Sequence, residues 1–124
     1  RNLWTYVVIF CGHFPDGVQQ FTPECLQDET RAEWYLRQML GAANFNAGPV
    51  LALSTGNLCY QIEHHLFPDL PSNRYPQIAR RVRELCDKYD IAYTTGPLPR
   101  QYLQTVRTNF RLAWPDGGWA ELRR

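Results

Sequence analysis

The sequence lacks the features that would assign it to several common classes of small domain. Its four cysteines, Cys11, Cys25, Cys59 and Cys86, show no Cys-x-x-Cys spacing. This argues against a structural zinc site and against the disulfide framework of a small secreted domain. The formal net charge is only +1, so no nucleic acid partner is expected. We expect reduced thiols in a cytosol-facing protein, with Cys11, Cys59 and Cys86 as small core residues.

The sequence also lacks a long apolar run and a recognisable signal peptide. The run from Leu3 to Phe14 is shorter than the roughly 20 apolar residues of a spanning helix and has no small-residue cleavage site. Its β-branched residues are compatible with a buried strand, but aromatic residues on all sides favour a helix. Because the chain begins at Arg1 rather than Met, we expect a fragment in which this run is a buried core helix or the end of a membrane helix.

The middle of the chain is predicted to form two helices separated by a segment of small residues. A helix should begin near Thr30, where Glu33 has the spacing of a capping box, and end at Gly41. Pro49 can open a second, shorter helix, which Gly56 interrupts before the next motif. Small residues in the intervening segment suit close helix contact or an ordinary linker turn.

The second half is predicted to contain two amphipathic helices within residues 76–113. Pro76 opens the first, a short β-type segment from Ile91 to Thr95 follows it, and the second runs from Leu98 or Pro99 to about Leu112. Residues 114–124 are predicted to be a tail. The apolar face of the first helix comprises Ile78, Val82, Leu85, Cys86 and Tyr89. The positions expected to be buried in the second are Tyr102, Leu103, Val106 and Phe110.

Gln61, His64 and His65 form the motif that restricts the function most. On a helix, Gln61 shares a face with both histidines, so three donor groups could converge. Imidazole is a good ligand for iron, zinc, copper and nickel, and the cluster therefore indicates part of a metal site. The alternative is an ordinary histidine pair near a helix end. His13, at the end of the first apolar run, is either a further ligand or a histidine at a helix C-terminus.

The octapeptide from Gln61 to Pro68 closely resembles the third histidine box of the membrane fatty-acid desaturases, which reads Q-x-x-H-H or H-x-x-H-H. The flanking segments 55–58 and 70–76 are similar to the C-terminal part of bacterial acyl-CoA desaturases. The resemblance implies a mainly α fold, as the C-terminal fragment of an all-α integral membrane di-iron desaturase. Within the fragment 1–124, residues 1–14 would end a membrane helix, 28–68 would hold a helix and the box region, and 76–113 would form cytosolic amphipathic helices.

The resemblance also implies an activity, namely the O2-dependent introduction of a cis double bond into a fatty acyl chain. An unactivated C–H bond is beyond any acid, base or nucleophile of a side chain, so iron is required and the protein ligates and positions it. The intact enzyme would hold two iron ions on the cytosolic face of the membrane. Its substrate would be a fatty acyl-CoA or a lipid-bound acyl chain. Electrons would come from a separate NAD(P)H-dependent reductase, ferredoxin or cytochrome b5-type donor.

Carried over by position, His64 and His65 match the family's metal ligands, and His13 resembles its isolated ligand histidine. Gln61 stands where many members have histidine, so it would act through water or behind the ligands. Glu63 is not a ligand of the motif, and we expect it to orient a histidine or meet solvent. Neutral imidazole binds metal, so loading should weaken as the pH falls toward and below about 6.5.

Three histidines are too few for two iron ions, so the isolated fragment is expected to be inactive. Arg74, Arg80 and Arg81 are candidate contacts for coenzyme A phosphates or anionic lipid, or else part of a solvated helix face. Two other functions share the features described so far. One is a hydroxylase or ketolase of the same superfamily, and the other is a non-catalytic helical module that docks on a membrane.

Overall fold

The computed structural model describes residues 1–113, and these are mainly helical, as the sequence predicts. The α-helices are α1 (Asn2–Cys11), α2 (Arg31–Leu40), α3 (Pro49–Ser54), α4 (Gln61–Leu66), α5 (Tyr75–Lys88) and α6 (Leu98–Ala113). Short 3-10 helices cover Pro23–Leu26 and Ser72–Arg74, and two strands, β1 (Asn44–Asn46) and β2 (Thr95–Pro97), complete the described chain. None of the described helices is both long enough and apolar enough to cross a membrane. The tail predicted for 114–124 lies outside the described residues.

Local sequence signals set several of the helix ends. The Thr30 hydroxyl accepts a hydrogen bond from the Glu33 amide, and the Glu33 carboxylate accepts one from the Thr30 amide at 2.8 Å. This is the predicted capping box, which satisfies two amides that the first turn of α2 leaves without helical partners. Gly41 ends the same helix, Pro49 is the first residue of α3, and Pro76 lies in the first turn of α5. The first apolar run is a helix rather than a strand.

The strands form a parallel pair that the sequence analysis places incorrectly. Asn44 of β1 pairs with Thr95 of β2. Strand β2 therefore begins where the predicted β-type segment from Ile91 to Thr95 ends. Its partner β1 was not predicted, because it has the sequence Asn-Phe-Asn and lacks β-branched residues. A parallel partner distant in the sequence defines both strands, and a local pattern does not reveal such a partner.

The core consists of two apolar clusters. The first cluster joins α4 to α5 and to Ala42, two residues after the end of α2. The second joins α1 to β1 and to the segment before α4. Cys11, Cys59 and Cys86 are all buried in these clusters, as predicted, and all described cysteines are free. The members of the first cluster are Ala42, Ile62, Leu66, Val82 and Cys86. The members of the second are Val8, Cys11, Phe45 and Cys59.

The predicted apolar face of α5 is only partly correct. Val82 and Cys86 are buried, but Leu85 is 54% exposed and Tyr89 61%. Tyr75 and Ala79 occupy the buried positions instead. The buried stripe therefore runs through Tyr75, Ala79, Val82 and Cys86 at spacings of four and three, and Leu85 and Tyr89 lie outside it.

The predicted core face of α6 is only partly correct: Tyr102 and Val106 are half-buried, and Tyr102 packs against the second core cluster, but polar residues hold the fully buried positions. Gln101, Thr105 and Thr108 are buried, whereas Leu103 is 67% exposed and Phe110 69%. Two of these three side chains donate to backbone carbonyls on other elements. The Gln101 amide donates to the carbonyl oxygen of Asn44 at 2.6 Å, and the Thr105 hydroxyl donates to a carbonyl at the end of α1. Hydrogen bonds therefore set the orientation of this helix.

Glu63 lies at the junction of these elements and is completely buried. Its carboxylate accepts hydrogen bonds from the Asn44 amide at 2.8 Å and from the Tyr93 hydroxyl at 2.9 Å. The Asn44 side-chain oxygen accepts the Ile62 backbone N–H at 2.8 Å. The expectation that Glu63 orients a histidine or meets solvent is wrong, because its partners lie on β1 and just before β2. Burial is possible here because both carboxylate oxygens are hydrogen-bonded.

Replacing Asn44 tests the importance of this junction. Asn44→Ala would leave the Ile62 N–H and one Glu63 oxygen buried without partners, so we expect the free energy of unfolding to fall by about 2–4 kcal/mol. The matched control is Asn46→Ala in the same strand. Asn46 is exposed, and its side chain accepts one hydrogen bond, from the Thr95 hydroxyl, in the described structure, so the loss of stability in this variant should stay within about 0.5 kcal/mol. If chemical or thermal unfolding shows equal losses of stability in the two variants, the structural role assigned to Asn44 is contradicted.

Candidate metal centre

The short helix α4 carries the histidine pair in its last turn. Ile62 and Leu66, four residues apart, are buried in the first core cluster and fix which side of the helix faces inward. His64 and His65 are both half-buried at the edge of that packing. The histidines therefore have limited access to solvent, and the core on one side of α4 holds the helix that carries them.

Gln61 lies between His65 and His13. Its amide nitrogen is 3.4 Å from Nε2 of each ring, and the two ring centroids are 5.0 Å apart. Gly12 makes this approach possible, because a Cβ at that position would lie 2.8 Å from Gln61 Cγ. The end of α1 and the beginning of α4 thus bring together three of the residues that the sequence analysis selected.

His65 is anchored by Gln38, a residue of α2 that the sequence analysis missed. The Gln38 side-chain oxygen lies 3.0 Å from His65 Nδ1. An amide oxygen only accepts hydrogen bonds, so Nδ1 carries the hydrogen and Nε2 keeps its lone pair. Nε2 is also the atom that faces Gln61 and His13. The only signal in the sequence is a polar residue among the apolar positions of α2.

His64 turns toward Tyr75 rather than toward Gln61. Its Nδ1 lies 3.1 Å from the Tyr75 hydroxyl, and its ring centroid is 5.8 Å from that of His65. Tyr75 is only 2% exposed, and the sequence analysis did not select it as a site residue. Within residues 1–113, no group of three or more His, Cys, Asp or Glu side chains is arranged to hold a metal ion.

The donor groups that this chain does bring together fit a metal such as iron as part of a larger ligand set. Burial lowers the pKa of His65 to about 4, with the neighbouring His13 and His64 contributing in the same direction. Burial also lowers the pKa of His13, although the Gly41 carbonyl opposes the shift. Both rings are therefore neutral near pH 7, as metal binding requires. The Gln61 side-chain oxygen is buried without a hydrogen-bond partner in the described structure.

The three candidate arginines lie in different environments on and before α5. Arg80 lines a cleft of about 290 Å³. Arg81 forms a surface ion pair with Glu84 at 3.2 Å, and Arg74 donates to the Gln77 side chain. The cleft also contains Arg83, which the sequence analysis did not select and whose guanidinium lies 4.9 Å from the centroid of the Tyr93 ring. Other residues that line the cleft are Asn46, Tyr60 and Thr95.

The lowered pKa of His65 predicts a pH dependence of stability in the metal-free protein. The unfolded chain binds this proton near pH 6.5, but the folded chain binds it only near pH 4. The free energy of unfolding should therefore decrease as the pH falls from 6.5 toward 4. Because the folded protein keeps His65 neutral to lower pH, we now expect metal loading to weaken below pH 6.5 rather than at about pH 6.5.

The measurement compares wild type with His65→Gln across pH 4–7 by chemical unfolding. The stability difference between them should change with pH over this window, with wild type losing more as the pH falls. Burial raises the pKa of Glu63 above 4.5, which gives a slope of the opposite sign, but this contribution is common to both proteins and cancels. A difference that does not vary with pH would show that His65 is not desolvated.

A family model and several known proteins resemble this chain over most of its length. The family model described as fatty acid desaturase matches residues 2–97. Proteins named NADPH-dependent stearoyl-CoA 9-desaturase from two strains of Mycobacterium tuberculosis are 60% identical over 116 residues, which is 94% of this chain and 27% of theirs. A fatty acid desaturase 2-like protein FADS2B from Mus musculus is 31% identical over 86 residues, which is 69% of this chain and 18% of that protein.

No solved structure matches the chain. The chain spans about a quarter of the length of the Mycobacterium tuberculosis relatives. Because the family model covers most of the chain and includes α4 with both adjacent histidines, this chain belongs to the fatty acid desaturase family.

Proposed function

We propose that this chain is the C-terminal part of a fatty acyl desaturase, an oxidoreductase that uses O2 to introduce a cis double bond into an acyl chain. The observation that carries the proposal is the approach of His13, His65 and Gln61 from two helices, with neutral imidazoles and an unpartnered amide oxygen. The names of the Mycobacterium tuberculosis relatives favour a stearoyl-CoA-like substrate, the 9 position and electrons that derive from NADPH.

The residues of this chain supply part of a histidine-ligated di-iron centre in the proposed enzyme. His64, His65 and His13 would hold iron, and Gln61 would act through water or behind the ligands. Bound iron, with O2, supplies the oxidising power that removal of hydrogen from an alkyl chain needs. The chain itself contributes neutral nitrogen donors, fixed ring orientations and partial exclusion of solvent. Three histidines cannot ligate two iron ions, so the chain alone is proposed to be inactive.

The proposed enzyme is an integral membrane protein with this site on the cytosolic face. The apolar residues on the surface of the described chain support a larger or membrane-bound context. Leu3 on α1 is 71% exposed, and Val50 and Leu53 on α3 are 84% and 80% exposed. Exposed apolar residues on adjacent helices favour contact with lipid or with other protein segments.

The cleft beside α5 is the proposed contact for the phosphates of an acyl-CoA. Arg80 and Arg83 are three residues apart and therefore project from neighbouring positions on the helix. Neither lies within ion-pairing distance of a carboxylate in the described part of the chain, unlike Arg81. Arginine binds phosphate oxygens through paired N–H donors, so two such side chains at one cleft suit a phosphate-bearing substrate.

The histidine assignment predicts coupled losses of iron and activity. In the complete protein that carries this chain, His64→Ala and His65→Ala should each lower both bound iron and turnover by more than about 100-fold, since a direct ligand should matter more than the residue behind it. Gln77→Ala, an exposed change on α5, is the control and should alter neither.

Iron is measured by elemental analysis and product by mass spectrometry. Loss of two hydrogens indicates desaturation, whereas gain of one oxygen would indicate the hydroxylase or ketolase alternative. Full iron and full turnover in both histidine variants would refute the ligand assignment.

The arginine assignment predicts a defect in substrate binding alone. Arg80→Ala combined with Arg83→Ala should raise KM for the acyl-CoA at least about tenfold and leave kcat within about twofold, because each charge-assisted hydrogen bond contributes about 1.5–3 kcal/mol. Arg81→Ala is the matched control and should change KM less than about twofold. If steady-state kinetics give the same KM for the double variant and the control, the phosphates bind elsewhere.

A further inference from the structure

We propose that Gln38 is a positioning residue that determines which ring nitrogen of His65 is free to bind a metal. The inference rests on the proposed function for its biological meaning, since the ligand role of His65 is part of that proposal. The hydrogen bond itself, 3.0 Å between Gln38 Oε1 and His65 Nδ1, does not depend on it. Nothing in the desaturase motif draws attention to Gln38, which precedes the box by more than twenty residues and lies on a different helix.

The chemistry of the two groups assigns the hydrogen. Gln38 Oε1 can only accept a hydrogen bond, so His65 Nδ1 must donate. In a neutral imidazole the other nitrogen, Nε2, then carries the lone pair. Nε2 faces the Gln61 amide at 3.4 Å on the side where His13 lies. The hydrogen bond therefore directs the lone pair of His65 toward the side of the site where the other candidate metal ligand, His13, lies.

Gln38 lies on a well-anchored part of α2. Its neighbour Arg37 donates two hydrogen bonds to the Glu29 carboxylate, at 2.6 and 2.9 Å. Its other neighbour, Met39, packs against the first core cluster and approaches the Cys86 sulfur at 4.0 Å. The capping box fixes the beginning of the same helix. Contacts on both sides of Gln38 therefore hold its backbone before any metal binds, as a positioning role requires.

The partner of His64 cannot have the same effect. A tyrosine hydroxyl can donate or accept, so the contact between Tyr75 and His64 Nδ1 is compatible with either tautomer. Gln61 faces Nε2 of His65 through its amide nitrogen and contacts a second imidazole equally closely. The Gln61 amide nitrogen can only donate, so its contact with His65 Nε2 requires the same tautomer. Gln38 makes the shorter of these two contacts, at 3.0 Å against 3.4 Å.

The test uses the complete protein that carries this chain, with two substitutions at Gln38. Gln38→Leu keeps the approximate volume and removes the acceptor, whereas Gln38→Glu keeps an oxygen at the same place. Gln77→Leu on the surface of α5 is the matched control. The first readout is the nitrogen-15 NMR shift of the His65 ring in the iron-free protein, identified by its loss in His65→Asn. The second is iron retention against a chelator.

Wild type and Gln38→Glu should show His65 with the hydrogen on Nδ1. Gln38→Leu should show a mixture or the Nε2–H form and should bind iron about 10–100-fold more weakly. Gln77→Leu should match wild type in both readouts. Rescue by Gln38→Glu distinguishes positioning from a loss of packing, because leucine fills the space and glutamate restores the acceptor.

A wild-type His65 with its hydrogen on Nε2 would overturn the inference, and this result does not depend on whether any variant folds. An unchanged tautomer and unchanged iron retention in Gln38→Leu would also overturn it. Failure of the proposed function is distinguishable from both results. A protein that shows the expected tautomers but retains no iron and forms no double bond would contradict the desaturase proposal and leave the hydrogen-bond assignment intact.

Discussion

The buried carboxylate of Glu63 is the constraint on which the arrangement of this chain depends. A carboxyl group removed from water costs several kcal/mol unless hydrogen bonds replace hydration, and Asn44 and Tyr93 supply those bonds. Their positions bring β1, α4 and the residues before β2 to one point. A six-residue helix such as α4 is too short to be stable alone, so tertiary contacts of this kind determine where it lies.

Once α4 is fixed, each polar residue of the histidine box faces a different element. Gln61 reaches back to His13 after α1, His65 to Gln38 on α2, and His64 to Tyr75 at the beginning of α5. Ile62 and Leu66 occupy the core side. Adjacent residues on a helix point about 100° apart, which explains why the two neighbouring histidines have different partners. The motif is therefore compact in sequence, but three separate parts of the fold support it.

The features that depend on neighbouring residues could be predicted from the sequence, whereas those that depend on tertiary pairing could not. The capping box at Thr30 and the prolines at the beginning of α3 and α5 depend on neighbours in the sequence, so the helices were predicted well. The buried face of α6, the strand β1 and the partners of Glu63 depend on residues far away in the sequence. The octapeptide likewise identified the histidines, but the roles of Gln38 and Tyr75 follow only from the packing of α2 and α5 against α4.

One physical cause, removal from water, acts in opposite directions on the two kinds of titratable group around α4. It raises the pKa of Glu63 and lowers the pKa of His13 and His65, because in each case it disfavours the charged form. Both effects favour a centre of neutral nitrogen donors. The imidazoles keep their lone pairs at physiological pH, and the adjacent carboxyl is occupied by Asn44 and Tyr93 instead of competing as a ligand. A histidine-dominated site can therefore follow a glutamate in sequence without becoming a carboxylate site.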